Sequence, residues 1–438
     1  MMLQNRFWIL ARLGVALLPC LACSSEGSGA GGSTGASGGS GAASGSGGSG
    51  SSNGGGGGTG AGTSSGGSSA ANGGTGTSGS AGSSSGGGTS GGSGGSGSVT
   101  TPGIRWVGRV DATDPAAVKF AWQGAGFVAQ VTGTTLTVKL EVNGTSTVYF
   151  QPVVDGVAGE RFKVDPGAAV DVTLATGLSD GDHVVELYRE TEGAYGISIF
   201  RGFTEGSPTD APAATDRVIE VVGDSISAGY GNLGSEPHPD WVANPACHWT
   251  AENSSWYATY AAIAGRALDA EVSTVARSGW GMTRDNQNGP NVLANVYENA
   301  LGTDDATPWS FERKPAAVVV NLGTNDWAMG DPGTDYETDY VDFIATVRSH
   351  YPDAFIFLTI GSMLGAPELA QVNARLASVI QAVSNATGDD KLVTFDFGTQ
   401  NLGPDGSIPS GCDWHPSKDE HERMAGILQQ QLATKLGW

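Results

Sequence analysis

The sequence predicts an α/β domain built on a parallel sheet, preceded by a β-sandwich of jelly-roll type, with a long unfoldable segment ahead of both. Three observations carry this. Gly and Ser dominate residues 24–98, short β-branched runs separated by turn residues fill 104–204, and from residue 216 onward apolar runs alternate with helical ones. The regions are set at 1–23, 24–98, 101–205 and 216–438.

The first 23 residues read as a targeting signal. Arg6 and Arg12 precede the apolar run Leu13–Leu18, which is too short to span a bilayer, and Leu21-Ala22-Cys23 supplies a small-residue cleavage site. The pattern resembles a bacterial lipoprotein signal with Cys23 as the lipidated residue, although Cys20 stands where such signals usually carry Leu. The alternative is a secretory signal cut near Ala22. Either reading exports the folded part.

Residues 24–98 hold 34 Gly and 24 Ser among 75 residues, no aromatic side chain, and Glu26 as their one charge. Such a stretch buries too little apolar area to offset the entropy of ordering, so it reads as a flexible linker. Behind a lipid anchor it becomes a tether with a reach of about 50 Å.

The whole chain carries 22 basic and 44 acidic residues, a net charge of −22; without Arg6, Arg12 and Glu26 the foldable part stands at −23. That charge argues against nucleic acid and against an anionic membrane surface. A membrane is expected only through the anchor, and the folded part is expected to be monomeric. Cys247 and Cys412 are the two Cys of the foldable part. In an oxidising compartment they suggest one disulfide, with two free thiols as the alternative; both lie in polar loop sequence, which favours the bridge.

From Ile104 to Thr204 the strands expected are Ala117–Trp122, Gly126–Thr132, Thr134–Val142, Thr147–Val153, Ala169–Leu174 and His183–Glu190. Asn143-Gly144, Asp155-Gly156 and Asp180-Gly181-Asp182 supply turns. Even spacing of short strands without helical periodicity gives the sandwich. A Pro-containing connector runs from Gly206 to Ala214.

Beyond it, Arg217–Val222, Glu271–Ala276, Ala316–Asn321, Ala354–Ile360 and Leu392–Phe397 read as strands, and Ser254–Leu268, Tyr336–His350, Glu368–Ser384 and Asp419–Leu436 as helices. Apolar strands alternating with helices imply a parallel sheet covered on both faces. In such sheets ligands sit outside the carboxyl ends of the strands.

The residues just after the strands have a chemistry in common. Gly223-Asp224-Ser225 follows the first, Ser278-Gly279-Trp280-Gly281 the second, Gly323-Thr324-Asn325-Asp326 the third, and Asp413-Trp414-His415-Pro416 precedes the last helix. A serine nucleophile needs a base in hydrogen-bond reach and donors aimed at a developing oxyanion. Ser225 supplies the hydroxyl and His415 the base. The N–H groups of Ser225 and Gly279 and the amide of Asn325 supply donors.

This ordered set resembles the SGNH (GDSL-type) hydrolases over Arg217 to about Leu436, which implies their three-layer sandwich. The whole foldable chain resembles carbohydrate esterase family 2 in Pro245–Asn253, Ser278–Gly281, Asn321–Asp326 and Gly411–Pro416. That resemblance implies a jelly roll before the hydrolase domain. It also implies removal of O-acetyl groups from plant polysaccharides such as xylan and glucomannan, with Ser225, Gly279, Asn325 and His415 carried over. Many SGNH enzymes place Asp three positions before the His. Here that position is Cys412, and Asp413 stands two before. Asp413 therefore enters as the third catalytic member, with a backbone carbonyl as the alternative orienter. A Cys247–Cys412 bridge would fix the His415 loop.

Trp280, Trp327, Trp414 and Tyr230 are expected to line a sugar-binding cleft, because indole faces stack well on sugar C–H faces; packing beneath loops is the competing reading. His183, His350 and His421 read as ordinary surface residues. His238 and His248 border the cleft without the three or four ligands a metal site needs, so neither a metal nor a cofactor is expected. The function this predicts is an exported polysaccharide O-deacetylase. The alternatives are a carbohydrate-binding surface lipoprotein with an inert site and a GDSL-type lipase.

Overall fold

Residue 100 opens an antiparallel β domain, and residue 218 opens a parallel α/β domain. A computed structural model of the chain describes residues 100–101, 103–236, 247–302, 307–403 and 406–438. The expected signal at 1–23 with Cys23, the expected linker at 24–98 and His238 lie outside the described residues.

The first domain comprises β1 (Thr100–Thr101), β2 (Ile104–Val107), β3 (Val118–Phe120), β4 (Gly126–Gly144), β5 (Val148–Val154), β6 (Val157–Ala158), β7 (Phe162–Val164), β8 (Val170–Thr176), β9 (Asp182–Arg189) and β10 (Gly196–Pro208). All its pairings are antiparallel. The strands expected at Gly126–Thr132 and Thr134–Val142 are one strand, β4. It changes partners midway: its first half pairs with β2 and β9, its second with β8 and β10. Phe127, Ala129 and Val131, then Leu136, Val138, Leu140 and Val142, are buried at period two along it. They meet Trp106, Phe120, Phe150 and Phe200 in an aromatic core.

The second domain orders β11 (Val218–Gly223), β12 (Glu271–Ala276), β13 (Ala317–Asn321), β14 (Phe355–Thr359) and β15 (Leu392–Thr394) as β12-β11-β13-β14-β15, all parallel. Its helices are α1 (Ser225–Ala228), α2 (Tyr260–Ala267), α3 (Thr324–Trp327), α4 (Asp335–His350), α5 (Ala366–Thr387) and α6 (Lys418–Leu436). Strands β11 and β13 are buried at every position, because side chains on both faces are covered. Ile219, Val221, Val319 and Phe357 pack with α2 and α6, whereas Val318, Val320, Ile356 and Leu358 pack with α4 and α5. The result is a three-layer sandwich.

The helix expected at Ser254–Leu268 begins only at Tyr260. The Ser254 hydroxyl donates to the Thr250 carbonyl and accepts from Gly231 N–H, and the Ser255 hydroxyl donates to Glu190. Hydroxyls so engaged hold the chain out of the helix until Thr259 caps it. Two of the His residues expected at the surface are buried. His183 lies between Asp155 and the Ser179 carbonyl, and His421 accepts the Tyr260 N–H at Nδ1. The third, His350, stacks on Phe311.

The two domains meet through buried polar groups as well as apolar ones. Arg109 of the β domain donates to Glu220 of β11 at 3.0 Å, and the Tyr297 and Tyr351 hydroxyls donate to the same carboxylate. Gln123 donates to the Ala276 carbonyl at the end of β12.

Candidate active site

Gly223, the last residue of β11, lies in register with Ala276 of β12 and Asn321 of β13. The segments carrying Ser225, Gly279 and Asn325 therefore leave the sheet at one level, at the crossing point where open α/β sheets bind ligands.

Ser225 is the first residue of α1. Asp224 caps that helix, its carboxylate accepting the Ile226 N–H at 3.0 Å. The first helical residue has an N–H that the helix itself leaves unbonded. Asp224 is fully buried; burial, with the nearby Asp326 carboxylate, pushes its pKa up to about 7.

His415 Nε2 lies 2.8 Å from Ser225 Oγ. Its Nδ1 faces two main-chain carbonyls, those of Asp413 at 3.0 Å and Cys412 at 3.2 Å. Carbonyls only accept, so Nδ1 carries the proton and Nε2 presents its lone pair to the serine. Burial lowers the pKa of this imidazole to about 4 and keeps it neutral. Delivering those carbonyls requires an unusual backbone. Asp413 and Trp414 both have positive φ, 49° and 67°, a strained conformation for non-glycine residues.

The Asp413 carboxylate is not the orienter expected from sequence. It accepts from the Tyr230 hydroxyl at 2.9 Å and the Trp249 N–H at 3.0 Å, and it contacts His248 Nδ1 at 3.0 Å. The reason is geometric: the left-handed turn that aims the carbonyl at His415 leaves the side chain facing the 247–249 segment. Tyr230 also stacks its ring on His415, with centroids 4.1 Å apart. A disulfide joins Cys247 and Cys412, and Asp413 N–H donates to the Cys247 carbonyl.

The Gly279 and Asn325 segments are tied to each other. Asn325 Nδ2 donates one N–H to the Trp280 carbonyl at 2.8 Å, which leaves its second available. Asp326, buried, accepts the N–H groups of Met282, Thr283 and Arg284. Gly281 has no alternative here: a Cβ on it would lie 2.2 Å from the Arg284 carbonyl oxygen and 2.4 Å from Asp326. Gly279 adopts φ +80°, the left-handed region.

The aromatic residues divide. Trp280 is half-buried beneath Arg277, and Trp414 is 36% exposed. Trp327, expected in the cleft, is instead packed in the core edge-on to Tyr336, with its indole N–H toward Gln371. It sits at the end of α3, on the side that faces α4 and α5. Sequence reasoning missed Glu192, Glu190 and Tyr195 of the β domain. Glu192 accepts from Ser278, Glu190 from Ser255 and Tyr257, and Tyr195 stacks on Trp249 at 4.0 Å. Their signal was a pair of acids ending an otherwise β-like run. Among the described residues no group of three or more His, Cys, Asp or Glu is placed to hold a metal.

Residues 106–212 match the family model described as the carbohydrate esterase 2 N-terminal domain, and residues 221–423 match the GDSL-like lipase/acylhydrolase family. The chain is 35% identical over 342 residues to the cellulase/esterase CelE of Acetivibrio thermocellus, covering 77% of this chain and 40% of that longer protein. It is 27% identical over 353 residues to an acetylxylan esterase / glucomannan deacetylase of Cellvibrio japonicus, covering 78% of this chain and 91% of that one. A solved family two carbohydrate esterase from Clostridium thermocellum, in complex with cellohexaose, is 35% identical with a TM-score of 0.69. The match covers 77% of this chain and all of that one.

Proposed function

The chain belongs to carbohydrate esterase family 2, and from that premise we propose that it is an exported serine esterase that removes O-acetyl groups from plant polysaccharides of the xylan and glucomannan type. The observation that carries the reading is the 2.8 Å contact between Ser225 Oγ and His415 Nε2, with the opposite ring nitrogen held on carbonyls. A neutral imidazole with a fixed tautomer is what a general base for a serine requires.

In the reaction, His415 Nε2 takes the Ser225 proton as Oγ attacks the acetyl carbonyl carbon. The oxyanion is held by the N–H groups of Ser225 and Gly279 and the second N–H of Asn325. The C–O bond to the sugar breaks, and His415 gives its proton to the departing sugar oxygen. Water, deprotonated by His415, then attacks the acetyl-enzyme and releases acetate and Ser225. The orienting carbonyls of Asp413 and Cys412 keep Nδ1 protonated throughout, so no carboxylate is needed in the relay.

The substrate class has three supports. The folded part is strongly acidic, which suits an uncharged glycan. Trp414, exposed, and Trp280, half-buried, lie on the segments that carry His415 and Gly279 and offer indole surface there. A Cellvibrio japonicus relative is named for acetylxylan and glucomannan, and the Clostridium thermocellum neighbour holds a glucan hexamer. Lipid anchoring at Cys23, with 24–98 as tether, would hold such an enzyme at a surface facing insoluble substrate.

The test is acetate release from acetylated xylan and acetylated glucomannan by the purified protein and its Ser225→Ala variant. Release by the unmutated protein that vanishes in the variant supports the reading. Release that survives in Ser225→Ala rejects the mechanism. No release from either polymer, with glycan still bound, would leave a binding protein.

A further inference from the structure

The β domain reaches into the hydrolytic site. We infer that Glu192, contributed by the β domain, is a positioning residue for the oxyanion site: it grips Ser278 and thereby fixes the orientation of the Gly279 N–H. The inference rests on the reading above, that Gly279 donates to the oxyanion.

The local chain is built to present this carboxylate. After β9, the buried guanidinium of Arg189 donates to the Thr191 carbonyl at 2.6 Å, the Glu192 carbonyl at 2.8 Å and the Ser198 hydroxyl at 2.6 Å. Arg189 therefore spends its donors holding residues 191–192 in a turn, and none on a carboxylate. Glu192, only 4% exposed, is left to bond outside its own domain. Its Oε2 accepts the Ser278 N–H at 2.8 Å, and its Oε1 accepts the Ser278 hydroxyl.

Both carboxylate oxygens thus close on one residue of the neighbouring domain, 86 positions away, immediately before Gly279. Burying a carboxylate is costly unless its lone pairs are met. Burial raises the Glu192 pKa, while the two Ser278 bonds and the charges of Arg277 and Arg189 favour the ionised form.

Gly279 is the residue that needs this grip. A glycine at φ +80° has no side chain to pack and the largest conformational freedom to lose. A backbone donor on it is only as well aimed as its neighbours are fixed. Downstream, the Gly279 carbonyl accepts Asn286 N–H at 2.9 Å, and the Trp280 carbonyl accepts Asn325 Nδ2. Upstream, Glu192 completes the clamp. A catalytic donor displaced by about 1 Å loses on the order of 10²-fold in rate.

The experiment measures kcat and KM of the full chain on 4-nitrophenyl acetate, and Ki for a phenylboronic acid whose tetrahedral serine adduct occupies the oxyanion site. Glu192→Ala is expected to lower kcat by about 10²-fold and raise the boronate Ki in parallel, with KM within about threefold. In Glu192→Gln the amide oxygen accepts the Ser278 N–H and Nε2 donates to the Ser278 hydroxyl, so both contacts survive. That variant should stay within about fivefold of the unmutated enzyme. Ser278→Ala loses one of the two contacts and gives a second measure if Glu192→Ala does not fold; a loss of about tenfold in kcat, at unchanged KM, is expected. Folded Glu192→Ala or Ser278→Ala protein with kcat and Ki within threefold of the unmutated enzyme overturns the inference and leaves the esterase intact. Absence of turnover in the unmutated enzyme itself overturns both.

Discussion

The Nδ1 of His415 lies 3.0 Å from the main-chain carbonyl oxygen of Asp413, while the Asp413 carboxylate turns away to Tyr230, His248 and the Trp249 N–H. The residue that orients the base does so with its backbone. Its side chain holds the loop that makes this backbone conformation possible. The disulfide from Cys412 to Cys247 ties the same turn to the same 247–249 segment.

This division predicts a mild phenotype for Asp413→Asn. The carbonyl is unchanged, and an amide oxygen still accepts from Tyr230 and Trp249. We expect kcat to fall by less than about tenfold, where removing an orienting carboxylate from a serine–histidine–aspartate relay costs about 10⁴. Steady-state kinetics on an acetyl ester decides it; a loss of 10³ or more would return the carboxylate to the relay.

The limits of sequence reading are visible at individual residues. The nearly continuous apolar runs of β11 and β13, and the four segments after the strands, were legible because parallel sheets bury both faces and place ligands at one edge. Strand β10 was not read. Arg201, Gly202, Glu205 and Gly206 interrupt its pattern, and its pairing with β4 shifts register at those points. Trp327 and Trp414 look alike in sequence, each beside a catalytic motif, but only the fold shows that one faces the core. The Glu192–Ser278 contact joins residues 86 apart, and nothing local in either segment announces it.

The Asn325 amide gives a sharper kinetic expectation. With one N–H committed to the Trp280 carbonyl, its second is a single oxyanion donor. Asn325→Ala should lower kcat by about 10²–10³ while KM changes little. A deficit under tenfold would remove Asn325 from the oxyanion site and recast it as a brace for the Trp280 loop.

At the domain interface, Arg109 and Glu220 form a fully buried pair 3.0 Å apart, with two tyrosine hydroxyls on the same carboxylate. Arg109→Met leaves that carboxylate uncompensated. We expect a loss of about 3–5 kcal/mol in unfolding free energy, measured by urea titration of the full chain. The double variant Arg109→Met, Glu220→Met should recover much of it. A single variant within 1 kcal/mol of the unmutated protein would mean that the pair does not hold the domains together.

His415 acts as a base only when neutral, and burial lowers its pKa from 6.5 to about 4. Its activity limb therefore belongs near pH 4, where kcat/KM should fall as protonation of Nε2 removes the acceptor for the Ser225 proton. The same depression has a consequence for stability. Between pH 6.5 and about 4 the unfolded chain takes up a proton at this residue and the folded chain does not, so the fold gains from His415 above pH 6.5 and loses that contribution as pH drops. Asp224 acts in the opposite sense: its folded pKa, raised to about 7, lets the native state bind a proton first, which favours folding as pH falls below 7. Buried His421, lowered to about 3, acts on stability in the same sense as His415, and buried Glu190, Glu192 and Asp326, each raised by burial, act in the same sense as Asp224; of these groups only His415 touches the nucleophile. A pH profile of kcat/KM, taken alongside melting temperature, separates activity from stability. A limb near pH 4 is the expected result, whereas a limb at pH 6.5 would mean that the imidazole is solvated like an ordinary histidine and that its burial does not set the working range of the enzyme.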